Sequence, residues 1–188
     1  MRTSLLALVS LVALGGVAVA DDQFHPVPGA PGLELRVVQY GHGVHGEMTV
    51  EIANRGGAET TFVASGLYFL PDDDSGDPPQ RLTMAGGIRA GSEDAPVDSV
   101  AVAPGRTRKL RFDVFCIDEH RHAPPLDQAF TLAAQRLPPR VTREIIAQTR
   151  DVYHAVELRP SAEQESTVQS LVWEARRTVK ARLLGDRR

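Results

Sequence analysis

From residue 33 onward the chain alternates between apolar and polar side chains. Leu33, Leu35 and Val37 fall on one side of a period-two pattern, Glu34 and Arg36 on the other. After a glycine-rich break at 41–46, Met48, Val50 and Ile52 alternate with Glu47, Thr49 and Glu51. Leu110, Phe112, Val114 and Cys116 alternate with Lys109, Arg111 and Asp113. Turn signals stand between the runs, Asn54-Arg55-Gly56-Gly57 and Pro104-Gly105, with shorter apolar stretches at 62–64, 67–70 and 100–102. Short alternating strands separated by turns predict an antiparallel β-sandwich over 33–117, each sheet having one buried and one wet face. Residues 21–32, rich in Pro and Gly, predict an irregular lead-in.

Beyond Cys116 the period lengthens. Residues 118–138 form a connector that contains Pro124-Pro125 and runs into Pro138-Pro139. Pro139 suits a first helical turn, where its missing N–H would have no partner anyway. Val141, Ile145, Thr149, Val152 and Val156 recur at helical spacing, and Pro160 stops that helix. Ser161 and Gln164 then form a capping box for a second helix. Its apolar stripe is Val168, Leu171, Val172, Ala175 and Val179, and Gly185 is a terminator. Glu163 and Glu165 in its first turn and Lys180 and Arg182 in its last match the helix dipole. The expected fold is therefore α+β: a sandwich followed by an antiparallel helical hairpin over 139–184, packed upon it.

The first twenty residues predict an address. Arg2 is followed by an apolar run from Leu5 to Val19, then Ala18-Val19-Ala20, the small-residue exit of an export signal. The run is short for a membrane span, and none of that length follows, so no integral span is expected in the mature chain. The expected location is secreted or periplasmic. The chain carries 21 basic and 24 acidic residues, a formal net charge of −3. Losing Arg2 with the leader makes it one unit more acidic, which argues against a nucleic-acid partner. Cys116 is the single cysteine, so no internal disulfide can form.

Two fragments, VEIANRGGAETTF and VAVAPGRTRKLRFDVF, resemble the paired strands of bacterial immunoglobulin-like domains, in which an Asn-Gly turn follows one core strand and a Pro-Gly turn precedes another. That resemblance implies an immunoglobulin-like sandwich and says little about function. A second resemblance lies in Phe115-Cys116-Ile117-Asp118 and Val168-Gln169-Ser170-Leu171-Val172-Trp173. Together, in this order, they resemble the two motifs of bacterial thioester domains of surface adhesins. Val168 and Leu171 stand where that family usually has Thr and Ala. The resemblance implies that the Cys116 sulfur is joined to the Gln169 side-chain carbonyl with loss of ammonia, giving a shielded electrophile that a partner nucleophile can attack.

Other residues bear on chemistry. His42 and His45 share one glycine-rich turn, and His120 and His122 follow the last long strand. If the two turns meet, these four can share Cu or Zn, with Cys116, Asp118 or Glu47 as further ligands. The loop Asp72-Asp73-Asp74-Ser75-Gly76-Asp77 gathers carboxylates as calcium loops do, but Thr83 stands where an EF-hand needs Glu. Ser65 lacks the glycines of a nucleophile elbow. No phosphate-cradling loop or dinucleotide fingerprint occurs, so no cofactor is expected. A Cys on a core-facing strand is a poor setting for an activated thiolate with His120 as base. The sequence thus predicts a non-catalytic binding or adhesion protein with a protein or surface ligand outside the cytoplasm. The alternatives are a thioester module using Cys116 and Gln169, and a metal binder using His42, His45, His120 and His122.

Overall fold

The computed structural model describes residues 23–41, 45–73, 76–90, 96–125, 127–154 and 160–185. The expected export signal lies outside these. Among the described residues nine strands come first: β1 (His25–Pro26), β2 (Leu33–Tyr40), β3 (His45–Asn54), β4 (Thr60–Val63), β5 (Tyr68–Pro71), β6 (Leu82–Arg89), β7 (Ser99–Val102), β8 (Thr107–Cys116) and β9 (Phe130–Leu132). Two helices follow, α1 (Pro139–His154) and α2 (Ala162–Gly185), so the chain is α+β with its helices at the C-terminal side.

The strands divide unevenly. Seven form one antiparallel sheet in the order β1-β2-β3-β8-β6-β5-β9, and β4 pairs only with β7. The large sheet curls until its two edges face each other. Thr131 Oγ1 on β9 lies 3.1 Å from His25 Nε2 on β1. The rings of Tyr40 on β2 and Phe130 on β9 meet edge to face at 5.0 Å. The expected pair of sheets is thus a nearly closed barrel with a two-stranded ribbon. Strand twist gives the reason: a wide antiparallel sheet coils on itself and buries its own inner face.

Both edge strands lie where irregular chain was expected, β1 in the 21–32 lead-in and β9 in the 118–138 connector. They are two and three residues long, too short for any periodicity to show. The strand β6 runs through Gly86-Gly87, which imitate a turn, and its pairing with β8 shifts register between Met84 and Ile88. Gly86 has φ +89°, and a Cβ there would stand 2.5 Å from the ring of Tyr153 on α1. Only glycine allows both that backbone and that approach.

Two apolar clusters result. One fills the barrel with Leu35, Met48, Ile52, Phe69, Phe112, Cys116 and Phe130, among others. The second lies on the outer face, where Ala85, Phe115 and Ile117 meet Ile145, Val168, Val172 and Ala175 of the helices. Here α1 crosses β6 and α2 crosses β8. Coverage on both faces is why every residue from Phe112 to Cys116 is buried, although the alternation foretells a wet face. The charged member of that run, Asp113, is matched by buried Arg89, whose Nη1 donates to Oδ2 at 3.1 Å; the Tyr153 hydroxyl approaches the same oxygen at 3.4 Å.

The helices begin where the sequence places them. Pro139 opens α1. The capping box of α2 is formed: Ser161 N–H donates to Gln164 Oε1 at 2.8 Å, and Gln164 N–H donates to Ser161 Oγ at 3.3 Å. Arg182, late in α2, bonds Glu144, early in α1, at 2.9 Å, as antiparallel neighbours should. No helix among the described residues is long and apolar enough to cross a membrane.

Candidate functional site: the end of β8 beneath α2

The register of β3 on β8 reaches Phe115, opposite His45. On the other side Ile117 N–H donates to Arg81 O at 3.0 Å. Between them lies Cys116, and its peptide edge is taken by a side chain. Cys116 N–H donates to Gln169 Oε1 at 2.9 Å, and Gln169 Nε2 donates to Cys116 O at 2.8 Å. The carboxamide engages the backbone as a neighbouring strand would, supplying one acceptor and one donor. Both residues are out of water: Cys116 is 0% exposed and Gln169 4%.

The chain beyond Cys116 is fastened to the same helix. Arg176 Nη1 donates to Ile117 O at 2.6 Å and to Asp118 Oδ1 at 2.9 Å. Arg81 grips both Asp118 oxygens at 2.7 Å each. Arg177 bonds Glu119 at 2.6 Å. Burial pushes the Asp118 carboxyl up, but hydrogen bonds and charge from Arg81, with help from Arg176, outweigh it and hold the group at about 2. Asp118 in turn acts on Cys116. Burial first, and the Asp118 charge second, push the thiol up to about 12. At neutral pH the sulfur keeps its proton.

One helical turn past Gln169 stands Trp173. It packs against the barrel core rather than the outer cluster, so Gln169 and Trp173 form one stripe of α2 that covers the end of the barrel. Its indole N–H is buried and has no acceptor among the described residues. Beside it an open cleft of about 610 Å³ runs between the 117–121 turn and α2.

Of the residues singled out from sequence, the structure brings Cys116 and Gln169 together. The histidines divide. His42 lies outside the described residues, as does the side chain of His45, whose backbone pairs with Phe115. His120 and His122 follow β8 at the same end and are exposed. Among the described residues no three His, Cys, Asp or Glu side chains are grouped to hold a metal ion. In the acidic loop, Asp74 and Ser75 lie outside the described residues. Sequence reasoning missed Arg81 and Arg176 as the clamp on Asp118. Their partners are 37 and 58 positions away, and no local pattern signals such a pair. No protein-family model, curated protein or solved structure matches this chain.

Proposed function

We propose that this protein is an extracytoplasmic adhesion module that binds its partner covalently, through an internal thioester between Cys116 Sγ and Gln169 Cδ. The observation that carries the reading is the two-way pairing of the Gln169 carboxamide with the backbone of the one cysteine. A glutamine on a helix shoulder is usually solvated; this one is buried against the residue that bears the sulfur.

The chemistry follows from the groups present. The Cys116 N–H points at Gln169 Oε1 and favours charge developing on that oxygen, as an oxyanion donor does. Sulfur adds to Cδ, the Cδ–Nε2 bond breaks, and the thiol proton leaves on nitrogen as ammonia. A partner amine then adds to the same carbon, the Cδ–S bond breaks, and the amine proton returns to sulfur, leaving an amide link. Both reacting groups are buried, Cys116 at 0% exposure and Gln169 at 4%, which keeps bulk water from the bond. The thioester therefore persists against water until a partner arrives.

Intact-mass measurement tests this. The mature protein should weigh about 17 Da less than its sequence, the mass of ammonia, and should carry no titratable thiol. Methylamine should add its mass and release one thiol. A full calculated mass with a thiol that titrates in denaturant overturns the proposal.

A further inference from the structure

We infer that the cleft between the 117–121 turn and α2 is a docking groove for an acidic peptide segment with an apolar anchor. Its role in presenting a nucleophile to Cys116 and Gln169 rests on the covalent reading above; the docking itself does not.

The cleft has an apolar wall of Ile117, Val141, Trp173 and Val179, at whose margin stand Arg121 and Lys180. Its two carboxylates are already neutralised. Asp118 is held by Arg81 and Arg176, and Glu119 by Arg177. Arg121 and Lys180 have no side-chain partner among the described residues. Among the described residues the unpaired charge on the cleft is therefore positive, although the chain as a whole is acidic. Two cations without a side-chain partner among the described residues, set beside an apolar wall, fit carboxylates flanking an apolar side chain. The same positive field disfavours an ammonium, so a lysine carried in by such a segment would be deprotonated more readily. Only the neutral amine can attack a thioester.

Trp173 is the only tryptophan and lines this cleft, so its fluorescence responds to a ligand bound there. The probe is a blocked, lysine-free peptide of alternating Glu and Phe, titrated into the full protein and into Cys116→Ala. A saturable change in emission is expected in both, weakening as salt is raised. Arg121→Glu with Lys180→Glu should weaken binding by roughly tenfold or more, and the neutral pair Arg121→Gln with Lys180→Gln by less. Both sites are exposed, and equal melting temperatures will show that the variants fold. No saturable change overturns the inference. So do binding unaffected by the charge reversals, equal binding of the matching Lys–Phe peptide, and binding only of a sulfated oligosaccharide. If the peptide binds but the protein has its full calculated mass, the groove stands and the thioester falls.

Discussion

Replacing Cys116 with alanine separates a covalent link from a hydrogen-bonded contact by magnitude. In the linked protein the two residues close a loop across 53 positions. Cross-linking a loop of that length removes unfolded-chain entropy worth about 4 kcal/mol. The substitution abolishes the link and deletes a buried sulfur, about 1 kcal/mol. It also restores the carboxamide nitrogen and its bond to Cys116 O, about 1 kcal/mol in return. The net loss is about 4 kcal/mol, or about 8–16 °C in melting temperature for a chain of this size. Without the link only the sulfur is lost, about 2–4 °C. Calorimetry on the mature protein and the variant decides. Methylamine-treated protein, its link opened, should fall most of the way toward Cys116→Ala. Gln169→Ala should melt lowest, because it also strips both partners from a buried peptide edge at about 1–3 kcal/mol each. A Cys116→Ala variant melting within about 4 °C of the wild type refutes the link, and a Gln169→Ala variant melting above it refutes the hydrogen-bond reasoning.

Three further outcomes follow from the same geometry. In Gln169→Ala the thiol is free but still buried, so iodoacetamide at pH 8 should label it roughly a thousandfold more slowly than in denaturant; equal rates would mean Cys116 is not held as described. Asp118 has a carboxyl lowered to about 2 in the fold, so its stabilisation is present above the unfolded value near 4 and is lost as pH falls from about 4 to about 2. Urea midpoints should show wild type losing about 1–2 kcal/mol more than Asp118→Asn across that window, and parallel curves would contradict the clamp. Arg89→Met leaves Asp113 buried without its main partner and should cost about 3–5 kcal/mol by urea unfolding, while adding Asp113→Leu should recover most of it; a double variant no better than the single would show that the pair is not the source.

The parts of this fold legible in sequence are those whose cause is local. Period-two runs marked β2, β3 and β8 because one face of each looks into the barrel. The caps of α2 were legible because Ser161 and Gln164 satisfy each other within one turn. What escaped was set by distant neighbours. The edge strands β1 and β9 exist because the sheet curls far enough for its edges to meet, and His25 and Thr131 are 106 positions apart. Asp113 reads as a solvent-facing residue of an amphipathic strand, yet it is buried because α1 covers that side. At the candidate site the inward phase of Cys116 was visible from Leu110, Phe112 and Val114. The burial of Gln169 was not, since helical periodicity places it beside the apolar stripe and cannot tell that β8 ends beneath it.

The site also answers a mechanical question that the proposed chemistry raises. Forming a thioester removes Nε2, and with it the bond to Cys116 O; only the bond from Cys116 N–H to Oε1 is left of the original pair. If that pair were what holds α2 on β8, the reaction would loosen its own setting. The helix is held by other means. Val168, Val172 and Ala175 pack against Phe115 and Ile117, Arg176 grips Ile117 O and Asp118, and Arg177 grips Glu119. None of these contacts involves the reacting atoms. The carboxamide can therefore change from amide to thioester, and then to an amide with a partner, while the frame around it keeps its geometry. The same frame borders the cleft through Ile117, Asp118 and Trp173. A partner docked there would lie against Ile117, the neighbour of Cys116 in the chain, beside a site held by packing, and fixed placement of that kind is what lets proximity accelerate an acyl transfer.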